Sequence, residues 1–106
     1  MIARIWSGVV RMEDAEEYAV YIRDTGFMEY AETPGNRGAH ILRRDEDGRT
    51  EFITLSFWDS REAIQRFAGE DIEKSVLYPE DERYLIERDP TVKHYEVVQS
   101  VEPARP

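Results

Sequence analysis

The chain has 106 residues, 14 Lys and Arg against 23 Asp and Glu, and a net charge of −9. That is one small domain, and its acidity argues against nucleic acid and anionic membranes, which are bound through cationic side chains at phosphates. No cysteine is present, which excludes disulfides, thiolate nucleophiles and Cys-based metal sites.

No apolar run approaches the ~20 residues that cross a bilayer. The opening MIARIWSGVV carries Arg4 inside its apolar run and does not read as a secretory signal. These features describe a cytoplasmic protein with one domain over 1–100 and a proline-punctuated tail over 101–106. Hydrophobic residues are 41% of the chain, enough for a core. A domain of this size buries only about 60–65% of its unfolded surface, however, so dimerisation is a natural way to bury more.

Residues 2–10 are rich in β-branched and aromatic side chains and predict a strand. Over 13–25 the period changes: Ala15, Tyr18, Ala19 and Ile22 form one apolar helix face, and Glu13, Asp14, Glu16 and Glu17 favour the positive end of the helix dipole. Gly26 is the expected stop, and 33–36 (TPGN) a turn. Residues 38–44 and 50–58 flank Asp45-Glu46-Asp47-Gly48 and predict a hairpin. Asp59 with Glu62 three positions on resembles a capping box. It opens a helix with Ala63, Ile64, Phe67 and Ala68 on one stripe and Gly69 at its end. Residues 71–78 suggest another helical turn or two, and 80–88 a short helix. After Asp89-Pro90, residues 91–99 form a last strand.

The order β-α-β-β-α-(α)-β defines an α+β fold of the ferredoxin-like βαββαβ type, an antiparallel sheet with helices on one face. A half-exposed strand should carry polar residues on one side. In 51–58 neither alternating set does so: Phe52, Thr54, Ser56 and Trp58 form one, and Glu51, Ile53, Leu55 and Phe57 the other. The first strand behaves alike. A second copy packed sheet to sheet would cover the open face, so a homodimer is expected.

With this order in place, four stretches become informative: Met1-Ile2-Ala3-Arg4-Ile5-Trp6, Thr33-Pro34-Gly35-Asn36-Arg37-Gly38, Ser56-Phe57-Trp58-Asp59-Ser60 and His94-Tyr95-Glu96-Val97-Val98. Together they resemble the antibiotic biosynthesis monooxygenase family over about residues 1–100. The resemblance implies a dimeric α+β barrel. It also implies a choice of chemistries: oxygenation of aromatic phenols without metal or flavin, binding and degradation of haem, action on aldehydes or quinone-like compounds, or no catalysis. The haem-degrading members carry an Asn, a Trp and a His where this chain has Trp6, Phe67 and about Leu77. A haem needs an axial ligand, usually His, yet His40 and His94 both fall on predicted strands. The resemblance therefore places haem degradation below a cofactor-free reaction, and no cofactor is expected.

Alternation supplies a candidate site. Arg4 and Trp6 share one parity on the first strand, Thr54, Ser56 and Trp58 on the third, and His94 and Glu96 on the last. On a common face they would offer rings for stacking, Arg4 for a phenolate or carboxylate, and His94 as a base oriented by Glu96 or Arg4. The catalytic candidate is His94. The candidates for binding a small apolar or aromatic compound are Arg4, Trp6, Ser56, Trp58, Phe67 and Glu96.

Each also has a plainer role: Trp6, Trp58 and Phe67 as core, His94 as an interface histidine, Arg4 as an ion-pair partner. Tyr78, Tyr84 and Tyr95 read as covers for apolar surface with wet hydroxyls. No metal site is expected, since no paired-His spacing occurs. RNA-binding domains of the same element order need a basic, Gly- and aromatic-rich third strand, whereas this one reads Arg49-Thr50-Glu51-Phe52-Ile53-Thr54-Leu55. The leading expectation is a cofactor-independent monooxygenase-like protein. The alternatives are a non-catalytic binding or structural dimer and, third, a haem-binding protein.

Overall fold

A computed structural model describes residues 1–104. The tail expected over 101–106 thus ends in two positions, 105–106, outside the described residues. Strand β1 spans Ile2–Arg11, β2 Asn36–Glu46 and β3 Arg49–Trp58. Two short strands follow, β4 over Leu85–Arg88 and β5 over Lys93–Glu96. The helices are α1 (Ala15–Ile22), α2 (Met28–Glu32), α3 (Arg61–Ala68) and the single turn α4 (Asp81–Tyr84). The sheet order is β2-β3-β1-β4, with β5 also on β1, and every pairing is antiparallel. This is the α+β ferredoxin-like arrangement, its last strand split in two. Two such strands share one edge because β4 pairs with β1 at Gly8–Val10 and β5 at Ile2–Ile5. Between them Asp89 fills the gap: its backbone N–H donates to the Ser7 carbonyl at 2.9 Å, and its Oδ2 accepts from the Ser7 N–H at 2.9 Å.

Four local expectations change. The helix cap is Ser60, one residue after Asp59, and its Oγ accepts from the Ala63 N–H at 3.1 Å. Asp59 instead meets the Arg37 guanidinium at 2.5 Å. Gly26 does not end the first helix. The chain runs on through a widened turn over Arg23–Phe27, kinked at Thr25, into α2. A side chain at Gly26 would crowd the Tyr78 ring, 3.2 Å from where its Cβ would lie. Residues 71–78 are irregular, not helical. Residues 80–88 divide into α4 and β4, because the free edge of β1 takes the second half as a strand. The β2–β3 turn is as expected, with Asp47 and Gly48 at φ of 52° and 75°, the left-handed pair of a two-residue hairpin.

Two clusters fill the space between sheet and helices. Val10, Ala15, Tyr18, Ile22, Phe52 and Tyr84 form one, and Tyr30, Trp58, Ala63, Ile64 and Ile72 the other. Each fully buried large side chain is worth about 1.5–3 kcal/mol. On the opposite face Ile5, Val9, Ile53, Leu55 and Phe57 remain half-exposed, and Leu42 is 45% exposed. No helix is long and apolar enough to cross a membrane among the described residues.

Candidate functional site

The register brings the candidate residues onto one face. Arg4 lies opposite both Ser56 and His94, Trp6 opposite Thr54, and Ile2 opposite both Trp58 and Glu96. Residues directly opposed in a ladder share a face, and here it is the face under the helices.

Where the two core clusters meet, a cavity remains. Arg4, Trp6 and Thr54 form its floor. Tyr18, Ile22 and Tyr30, with the kinked turn Thr25-Gly26-Phe27, form one wall, and Phe67 the other. Ser75–Tyr78, with Asp81 and Val92, complete the lining. Its volume is about 60 Å³, room for a few waters.

Arg4 is 4% exposed, and among the described residues no carboxylate pairs with it. Its NH1 donates to the Ile72 carbonyl at 2.5 Å and to His94 Nε2 at 2.8 Å. Its guanidinium carbon lies 6.0 Å from the centroid of the Phe67 ring. Burial pushes its pKa down, partly offset by the adjacent Tyr30 hydroxyl. His94 is pushed down to about 4, by burial first and then by the positive charges of Arg4 and Arg61. It is neutral at pH 7. Because NH1 of Arg4 can only donate, Nε2 is the acceptor and the ring proton sits on Nδ1.

Two buried polar atoms have no hydrogen-bond partner among the described residues: Trp6 Nε1 and the Tyr78 hydroxyl. Both belong to residues that line the cavity. Such atoms cost about 1–3 kcal/mol each unless something fills the space beside them. Burial, and after it the nearby Glu29 carboxylate, keeps the Tyr78 hydroxyl protonated. Asp81 is also buried, but both its oxygens are occupied: Oδ1 accepts from the Tyr18 hydroxyl at 2.8 Å and Oδ2 from the Tyr78 N–H at 2.6 Å.

Of the predicted site residues, Arg4, Trp6 and Phe67 line the cavity. Trp58 is fully buried in the core, its Nε1 donating to Ser56 Oγ at 2.8 Å, which occupies both residues. Glu96 is exposed at the sheet edge. His94 touches the site only through Arg4. Sequence reasoning missed Tyr30 and the kinked turn, and it read the Tyr78 hydroxyl as wet. A Tyr directly before a Pro in an irregular loop gives no signal of what it will face. Tyr84 also departs from that reading: it is 6% exposed and its hydroxyl accepts from Arg83 NH2 at 2.5 Å, whereas Tyr95 is 52% exposed.

Trp6, Phe67 and Leu77, at or near the positions where the resemblance implies the Asn, Trp and His of the haem degraders, all line this cavity. A histidine-ligated haem does not fit it. His40 lies opposite Leu55 on the far face of the sheet, and the Nε2 of His94 is taken by Arg4.

The chain belongs to the antibiotic biosynthesis monooxygenase family, whose sequence profile matches residues 9–74. Solved structures share its fold. One is a protein from Bacillus cereus assigned as an antibiotic biosynthesis monooxygenase, with TM-score 0.69 and 16% identity, aligned over 96% of this chain and 97% of that one. Another of the same assignment comes from Nitrosomonas europaea, with TM-score 0.68 and 16% identity over 93% and 100%. A third is the haem degrader MhuD of Mycobacterium tuberculosis, solved with two haems in its active site, with TM-score 0.67 and 19% identity over 96% and 100%. No curated protein sequence matches the chain.

Proposed function

We propose that this protein is a cytoplasmic homodimer, each subunit one domain over 1–100. It would bind a small planar, mostly apolar compound between sheet and helices and oxygenate it without a bound cofactor. The observation that carries this reading is that both buried polar atoms without a partner among the described residues, Trp6 Nε1 and the Tyr78 hydroxyl, belong to residues that line one aromatic-walled cavity. Tyr30, Phe67 and Trp6 offer ring faces. Arg4 favours an ionised oxygen on the ligand, and an electron-rich anion of this kind can give an electron to O₂.

His94 serves as a positioning residue, in place of the base expected from sequence. Its lone pair is held by Arg4, and a group titrating near 4 takes up protons poorly at neutral pH. The proton of an ionising phenol would then leave to water. One atom of O₂ enters the substrate and the other departs as water, as in 1-naphthol giving 1,4-naphthoquinone. The apolar open face, with Ile53, Leu55 and Phe57, supports the dimer.

Oxygen uptake and quinone formation from 1-naphthol, with chelator-treated protein, tests the reaction. Saturable binding without turnover would leave the non-catalytic binding reading in its place. Neither binding nor turnover would remove the cavity as a ligand site.

A further inference from the structure

Arg4 is the one buried cation among the described residues. Elsewhere the chain pairs arginines freely, as in Arg11–Asp14, Arg43–Glu16, Arg49–Glu87 and Arg88–Glu82, all on the surface. In a protein with 23 acidic residues, the arginine for which an ion pair would matter most has only neutral partners: a carbonyl, an imidazole, a hydroxyl and a ring. An unpaired buried charge is costly, so its retention asks for a counter-ion.

The geometry narrows the choice. Both N–H groups of NH1 are committed, to the Ile72 carbonyl and to His94. What remains is the Nε and NH2 edge, beside the neutral Tyr30 hydroxyl, with parallel donors spaced for two oxygens of one group. Two residues along the same strand, on the same face, stands the Trp6 indole N–H, a donor with no partner among the described residues. The acidic lining residue, Asp81, belongs to the other end. It bonds to Tyr18, in the cluster with Val10 and Phe52, whereas Arg4 meets Ile72 and Phe67 of the Trp58 cluster. Its oxygens are already satisfied.

We propose that the ligand is an organic monoanion, an aromatic or apolar body bearing a carboxylate that sits on the Nε/NH2 edge of Arg4 beside the Trp6 indole N–H. This rests on the cavity being a ligand site and does not require that turnover occur.

The test uses phenylacetate, its neutral isostere phenylacetamide and the cation phenethylamine. Each is titrated into the intact protein and followed by the two indole N–H resonances in ¹H–¹⁵N spectra. Trp58 is an internal control, because its N–H is already bonded to Ser56. Phenylacetate is expected to move the Trp6 resonance saturably, with phenylacetamide at least tenfold weaker and phenethylamine without effect. Arg4→Lys should weaken phenylacetate at least tenfold while keeping its rank over the amide. Trp6→Phe, which keeps a ring, should weaken it less, read from the backbone N–H resonances of Arg4 and Thr54 in the same spectra. If amide and carboxylate bind equally, the anion assignment fails while the cavity survives as a ligand site. If none of the three moves Trp6 up to about 10 mM, weaker than any specific site, both fail.

Discussion

Arg4 and His94 face each other across β1 and β5, with Arg4 NH1 donating to His94 Nε2 over 2.8 Å. The contact joins a cation to a neutral ring, so protonating the ring turns attraction into repulsion. From pH 6.5 down to about 4, the unfolded chain binds a proton at His94 that the folded chain refuses. Stability therefore falls with pH across that window and the loss levels off below it. His94→Gln, whose amide oxygen can still accept from Arg4, should flatten this part of the curve. Urea midpoints measured between pH 4 and 7 check it.

Binding of an anion at Arg4 should act on the same ring in reverse. With the positive potential offset, the His94 pKa should rise from about 4. By linkage, phenylacetate should then bind more tightly as pH falls from 6 toward 4.5, while its own carboxylate stays mostly ionised. Following the His94 ring protons by NMR with and without phenylacetate measures the shift. An unchanged pKa would mean the anion sits away from Arg4.

The two indoles should respond differently to removal of hydrogen-bonding groups. Ser56→Ala leaves the fully buried Trp58 N–H without its acceptor and should cost about 1–3 kcal/mol. Trp6→Phe removes a donor that has no partner and keeps a ring, so its polar loss should be small. Denaturant unfolding of the two variants gives the comparison directly.

Gly8 is a close-approach position. A Cβ there would lie 2.6 Å from the end of the Trp6 ring and 2.8 Å from a Leu85 methyl. Gly8→Ala should cost about 1–3 kcal/mol through overpacking and push Trp6 toward the cavity. A change in the Trp6 emission spectrum alongside the lost stability would show both effects.

On the open sheet face, Leu55 stands between Ile5 and His40 on neighbouring strands and is half-exposed. Leu55→Glu would bury a charge without a partner in a sheet-to-sheet dimer. Analytical ultracentrifugation should find dimer for the parent protein and monomer for the variant, with the monomer still folded.

The order of elements was written in the chain, because it rests on local periodicity. The period-2 runs of β1 and β3, the Ala15-Tyr18-Ala19-Ile22 stripe and the Asp47-Gly48 turn each declare themselves within a few residues. So did the mixed polarity of both strand faces. Decisions between neighbours only in space belonged to the tertiary structure. Whether Asp59 or Ser60 caps α3 depends on where the chain turns off β3. Leu85–Arg88 became strand because β1 had a free edge to offer, which outweighed a short helical pattern. The site divides in the same way. Parity placed Arg4, Trp6, Ser56 and His94 on one face, but only packing sent Trp58 and Ser56 into the core and left Arg4 without a carboxylate. It also left the Trp6 N–H and the Tyr78 hydroxyl without a partner among the described residues, on two residues that line one cavity. Burial and partnership are set by contacts far apart in sequence, and no local pattern encodes them.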